Sequence, residues 1–350
     1  MVKDLEESKE SFDFNDEKFL YHIRELISLA GSKPESFEGE LITQMIQNSL
    51  KFLRDKHDIW QLKLVTRALK EMRYAYGIFN KYSRDKSISI FGSARTPEDH
   101  PDYLAAKAFS HLIADHGWKC ITGAADGIMK AGHEGATEEN AFGLSIKLPF
   151  ETPLNSIIAG NPRLITFRYF FTRKLMFLSH SDAVAAFPGG VGTMDELFEV
   201  LTLMQTGKTN IIPVVLLEGK NGQYWKEWER YLEEHLLANG WISPEDKSFY
   251  YIAGSPEDGM RHVKHFYNRY HSSRYVRDDL VIRITKPLTS EQIQLLNSKF
   301  GSLCKEGDIH AAEPYNEETD HLDLPRIAFT HTKKHFGIVR QLIDQINDFK

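Results

Sequence analysis

The rhythm of apolar and polar positions changes twice along the 350-residue chain. Between residues 51 and 84, Leu62, Val65, Leu69, Met72 and Tyr76 recur at alternating spacings of three and four, which predicts a helix with one apolar face. From Ser87 short apolar runs take over: SISIF (87–91), WKCIT (118–122), FGLSIKL (142–148), AVAAF (183–187) and IIPVVLL (211–217). Amphipathic stretches separate them, at 102–116, 127–140, 168–180 and 193–206. Strands alternating with helices predict right-handed βαβ crossovers, and so an α/β fold with a doubly wound parallel sheet covered on both faces. After about residue 275 the pattern changes again. LVIRIT (280–285), a helix from Ser290, a short strand near Ile327 and a final helix over 333–349 predict a small α/β appendage. The expected division is a helical extension over 1–85, the main α/β domain over 86–275 and the appendage over 276–350.

Composition narrows the classes of function. Hydrophobic residues at 41% and charged residues at 26% are ordinary for a globular chain. Lys+Arg 43 against Asp+Glu 49 gives a net charge of −6, so no global basic field draws the chain to nucleic acid. The charge is unevenly spread: residues 1–50 carry 5 basic and 11 acidic side chains, and residues 51–84 carry 9 and 3. The basic stretch reads as the solvated back of a packed helix. No apolar run approaches the ~18 residues a bilayer span needs. The opening MVKDLEESKE lacks the apolar region of a secretory signal, and a soluble, cytoplasmic protein is expected. Cys120 and Cys304 cannot make a disulfide framework, no His, Cys, Asp or Glu set has metal-ligand spacing, and no metal or cofactor is assigned.

Parallel sheets of this kind bind ligands at the carboxyl ends of their strands. There the chain places Pro188-Gly189-Gly190-Val191-Gly192-Thr193, between AVAAF and a predicted helix TMDELFEVLTLM. Glycines let the backbone bring N–H groups close to a ligand, the helix supplies unpaired N–H groups and the positive end of its dipole, and Thr193 adds a hydroxyl. Phe91-Gly92-Ser93-Ala94-Arg95 and Thr122-Gly123-Ala124-Ala125-Asp126-Gly127 end two further strands at the same edge. None of the three loops matches GxxxxGK[ST] or GxGxxG, which leaves a phosphate site of mononucleotide size. Arg173 and Lys174 lie on the helix ahead of the PGG strand, and Asp195 and Glu196 lie just beyond Thr193. By spacing alone the two acids suit either the helix dipole or catalysis. His133 and His180 read as packing residues. Phe167, Tyr169, Phe170, Phe171 and Phe177 read as core or dimer contacts, or as faces on which a base could stack.

PGGVGTMDE resembles the PGGxGTxxE signature of the LONELY GUY family, Arg173-Lys174 resembles that family's upstream RK element, and the FGS and TGAADGIMKAG loops resemble its first two glycine loops. The resemblance covers roughly residues 86–240. The chain departs from the family where Gly123-Ala124-Ala125-Asp126 stands in place of consecutive glycines, and in the long terminal segments. The resemblance implies a Rossmann-like phosphoribohydrolase that cleaves a nucleoside 5′-monophosphate, AMP-like or a cytokinin nucleotide, to free base and ribose 5-phosphate. In that reading Glu196 and Arg173 are catalytic. Gly92, Ser93, Gly123, Lys174, Gly189, Gly190, Gly192, Thr193 and Asp195 bind substrate or phosphate. It also implies a homodimer or larger homo-oligomer, without nucleic-acid or membrane partners. A Schiff-base role for Lys174 lacks an accompanying pyridoxal phosphate site. The alternative is a non-catalytic nucleotide or cofactor carrier on the same fold, which has no use for Arg173 and Glu196 together.

Overall fold

The structure, a computed structural model, describes residues 16–55, 57–82, 85–149 and 153–349. The chain divides into two compact units, Met1–Lys70 and Glu71–Lys350. The first holds α1 (Glu17–Leu29) and α2 (Phe37–Arg54). Asp16 caps α1 by accepting the Lys18 N–H at 2.8 Å, and Ser36 caps α2 by accepting the Gly39 N–H at 3.1 Å. The long helix α3 (Ile59–Tyr82) starts in the first unit and ends in the second. It lies where the periodicity predicts, but the expected stripe is not its buried face. Val65, Leu69 and Tyr76 are exposed, whereas Glu71, Ala75 and Phe79 are buried. The buried row repeats at helical spacing, and a carboxylate within it hides it from a count of apolar residues.

In the second unit the chain runs β1 (Ser87–Phe91), α4 (Pro101–Asp115), β2 (Lys119–Thr122), α5 (Ile128–Ala136), β3 (Ala141–Ile146), β4 (Leu164–Phe167), α6 (Phe170–Ser179), β5 (Ala183–Ala186), α7 (Val191–Gln205), β6 (Val214–Leu216), α8 (Tyr224–Tyr231), β7 (Tyr250–Ile252) and α9 (Pro256–Phe266). The seven strands pair in parallel in the order β4-β3-β2-β1-β5-β6-β7. β1, β3 and β5 are buried almost throughout, as strands covered on both faces must be. The order reverses at β1, with β2 on one side and β5 on the other. This is the switch point at which a doubly wound sheet opens a ligand crevice. The expected Rossmann-like α/β fold is the fold observed.

A second sheet follows, built from β8 (Tyr270–Val276), β9 (Asp279–Ile284), β10 (Cys304–Ala312) and β11 (Arg326–His331), with α10 (Ser290–Phe300) between β9 and β10 and α11 (Phe336–Asp348) at the end. Its strands are antiparallel in the order β10-β11-β9-β8. Val200 and Met204 of α7, Leu280 and Ile282 of β9, and Leu342, Ile343 and Ile346 of α11 belong to one continuous apolar core. Glu318, whose side chain is fully shielded from solvent, accepts from Arg283 Nη2 at 2.6 Å and Arg326 Nη1 at 2.7 Å. This ion triad ties the segment after β10 to the sheet. No described helix is long and apolar enough to cross a membrane.

Candidate active site

Three loops meet at the switch point. The Ser93 N–H, just past β1, donates to the Pro188 carbonyl at 3.1 Å, just past β5, and the Ser93 carbonyl accepts the Ile128 N–H of α5 at 3.0 Å. This closeness requires two of the glycines. A Cβ on Gly189 would stand 2.1 Å from Thr193 Oγ1, and one on Gly127, whose φ is +62°, would stand 2.3 Å from the Ser93 carbonyl oxygen. Tyr224 buttresses the same loop, its hydroxyl donating to the Gly189 carbonyl at 2.6 Å.

The loops enclose a cavity of about 580 Å³. Gly190 and Gly192 face open space, since a Cβ on either would meet nothing within 4 Å. α7 begins between them with no side-chain cap, so its N-terminal N–H groups and dipole point at the cavity. Ser93 contributes its hydroxyl, which accepts the Arg95 N–H at 3.1 Å and keeps its own proton to donate. Of the residues expected from the sequence, Gly92, Ser93, Gly123, Arg173, Gly190, Gly192, Thr193 and Glu196 line this cavity. Gly189, Lys174 and Asp195 do not.

The charged side chains stand where α6 meets α7. Glu196 is 6% exposed, with Oε1 3.6 Å from Arg173 Nη2 and Oε2 3.2 Å from Lys174 Nζ. At 3.6 Å the guanidinium and carboxylate attract without being locked in a hydrogen bond, so each keeps directions free for a ligand. Burial raises the Glu196 pKa above the usual carboxylate range, and the Lys174 and Arg173 charges only partly offset it. Arg173 lies 5.0 Å from the Phe170 ring and is pulled below its ordinary pKa by burial. Its buried Nε–H has no hydrogen-bond partner among the described residues. Lys174, expected among the binding residues, stands 2.9 Å from Asp195, 3.2 Å from Glu196 and 2.7 Å from Glu199. Burial opposes its charge, but the Glu199, Asp195 and Glu196 carboxylates outweigh that and raise its pKa.

The apolar wall and the support beneath the second loop are invisible in the motif pattern. Met129, Ile146, Leu148 and Leu154 line the cavity beside Phe170 and Phe177, whereas Phe167 is core and Tyr169 stacks on Phe171. Ala124 holds the second loop at φ +66°, a left-handed conformation that favours glycine. Thr122 Oγ1 accepts the Ala124 N–H at 3.0 Å, and Asn155 donates to the Ala124 and Ala125 carbonyls at 3.0 and 2.9 Å. Beneath them buried His133 lies 3.0 Å from the Phe142 carbonyl and 3.1 Å from Asn155 Nδ2, a set of partners that suits a neutral ring. Burial brings the His133 pKa down to about 4. His180 stacks on Phe79, ring centroids 3.8 Å apart, and is not part of the cavity lining. Among the described residues no group of three or more His, Cys, Asp or Glu is placed to hold a metal ion.

Residues 125–263 match the family model described as "Possible lysine decarboxylase". A cytokinin riboside 5′-monophosphate phosphoribohydrolase of Rhodococcoides fascians is 41% identical over 76 residues, 22% of this chain and 36% of the relative. One of Arabidopsis thaliana is 32% identical over 98 residues, 28% of this chain and 44% of the relative. The chain thus spans less than half the length of either relative. Among solved structures, the molybdenum cofactor binding protein from the phototrophic bacterium Rippkaea orientalis is 22% identical, with a TM-score of 0.38 over 52% of this chain and 96% of that one. With the family match and these two relatives, the chain resembles the LONELY GUY family, and the matched span 125–263 holds Arg173, Lys174 and the PGGVGTMDE run.

Proposed function

We infer that the protein hydrolyses the N-glycosidic bond of a nucleoside 5′-monophosphate, AMP-like or a cytokinin nucleotide, to the free base and ribose 5-phosphate. The observation that carries this reading is the buried Glu196 carboxylate, 3.6 Å from Arg173 on the wall of a cavity that the α7 N-terminus faces. The 5′-phosphate takes the N–H groups around Gly190–Gly192, with the Ser93 and Thr193 hydroxyls beside it. That contact lies away from the bond to be broken and holds the ribose in place. The C1′–N bond breaks, its electron pair leaves with the base, and positive charge develops on the sugar. The Glu196 carboxylate stabilises that charge and takes a proton from the water that adds to C1′. Arg173 steadies the negative charge gathering on the departing base, and the proton taken up by Glu196 passes to that base, giving the neutral free base and an ionised carboxylate. Met129, Ile146 and Leu148 give the base an apolar wall. The activities in the two relatives' names favour the same reading. The side chains α6 leaves exposed, Phe170, Phe171 and Leu175, support a homodimer.

The test offers the purified protein AMP, GMP, CMP, UMP, IMP and isopentenyl-AMP and measures free base and ribose 5-phosphate. Equimolar release of both from at least one nucleotide is expected. Tight nucleotide binding with no release from any would replace this reading with that of a carrier.

A further inference from the structure

Glu71 is a carboxylate on the buried face of α3, outside the span matched by the family model. Its Oε1 accepts the Arg168 N–H at 3.0 Å and its Oε2 accepts the Thr172 hydroxyl at 2.8 Å. Arg168 leads into α6 and Thr172 lies in its first turn, while the N-cap residue between them, Tyr169, offers no side-chain hydrogen bond. Among the described residues no basic side chain pairs with Glu71, so its charge faces the positive end of the α6 dipole. About two turns along α3, Phe79 stacks on His180 at the other end of α6, with ring planes 15° off parallel. α3 therefore grips α6 at both ends. Arg173 follows directly after Thr172 in that gripped helix.

We propose that Glu71 is a positioning residue: by holding the start of α6 from a neighbouring helix it fixes α6 along its axis and so sets the Arg173 guanidinium opposite Glu196. This role rests on the reading that Arg173 acts on the bound nucleotide. α6 has no Ser, Thr, Asp or Asn at its own N-cap, and the α3 carboxylate supplies the anchoring oxygens from outside the helix. Displacing a catalytic group by about 1 Å from a remote site can cost about 100-fold in rate. Removing the carboxylate is therefore expected to act on turnover more than on the hydrophobic core.

The experiment is a double-mutant cycle of Glu71→Ala and Arg173→Ala, reading kcat and KM for base release and, on the same four proteins, the dissociation constant of AMP. Glu71→Ala is expected to lower kcat about tenfold or more with a smaller change in KM, and to have almost no further effect once Arg173 is absent. Glu71→Gln, which can accept the Arg168 N–H and donate to the Thr172 oxygen, should restore most of the rate. If Glu71→Ala does not fold, Glu71→Asp withdraws the oxygens by one methylene and takes its place. Equal effects of Glu71→Ala with and without Arg173 would overturn the proposal, as would an unchanged rate. A wild type that binds AMP without releasing base removes the hydrolase reading instead. The proposal is then judged on the same non-additivity in AMP affinity, and additive losses there overturn it. A wild type that neither binds nor cleaves overturns both.

Discussion

Lys174 and Arg173 are adjacent in sequence, yet their side chains leave α6 about 100° apart and meet different partners. Arg173 reaches the cavity, whereas Lys174 is held by Asp195, Glu196 and Glu199 at 2.9, 3.2 and 2.7 Å. These contacts set Lys174 beside Glu196, and we propose that it tunes that carboxylate in place of binding phosphate. The groups facing the Glu196 carboxylate are Arg173 and Lys174 from α6 and Glu199 from its own helix, with Asp195 beside it. Burial already raises its pKa, and the Lys174 charge works against that rise. Lys174→Met removes a cation, so the Glu196 pKa rises further. Because the proposed reaction needs the carboxylate ionised, the acid limb of the kcat/KM profile should move to higher pH, with AMP affinity changed less than about twofold. An unmoved limb with weakened AMP binding would make Lys174 the phosphate ligand after all. That Glu196 and Arg173 share one site is expected from the sequence through their resemblance to the LONELY GUY motifs. The partners of Lys174 are not, because direction around a helix has meaning only once the neighbour packed there is known.

The glycine loops do two separate jobs. Gly189 permits closure, since its Cβ would strike Thr193 and approach the Ser93 nitrogen at 3.0 Å, whereas Gly192 leaves room on the cavity side. Gly189→Ala should lower stability by about 1–3 kcal/mol through overpacking of the loop. Gly192→Ala should leave the melting temperature nearly unchanged and weaken AMP binding about tenfold, because the added methyl occupies the space proposed for the phosphate. Unchanged AMP affinity in folded Gly192→Ala would remove that loop from the phosphate site. Calorimetric melting and equilibrium dialysis on the two variants separate these roles. The strands that carry the loops are readable in the sequence because β5 is a continuous apolar run and β1, SISIF, breaks its apolar residues only with small serines. β4 is not, because it has four residues, one of them the exposed Thr166, and runs almost directly into α6. In β7, YYI is too short to show a period. The buried face of α3 is masked by Glu71, and that interruption is the residue that holds α6.

The second unit packs both of its sheets on a common core, so the stability of the site and of the C-terminal sheet are linked. Acid should expose that link through His133, whose ring supports the second loop. Its pKa in the folded protein is about 4, below the ordinary 6.5, so folding favours the neutral ring. The contribution is complete above pH 6.5 and is lost as pH falls towards 4, amounting to about 3 kcal/mol for this fully buried group. Urea unfolding at neutral and acid pH should show that loss in the wild type and a flatter dependence in His133→Asn; equal slopes would contradict it. The most direct measurement is turnover by Glu196→Gln beside the wild type, with AMP affinity determined on both. Base release should fall about 100-fold to 1,000-fold in kcat with affinity nearly kept. Near-normal base release by Glu196→Gln would contradict the assignment of that carboxylate to the chemistry.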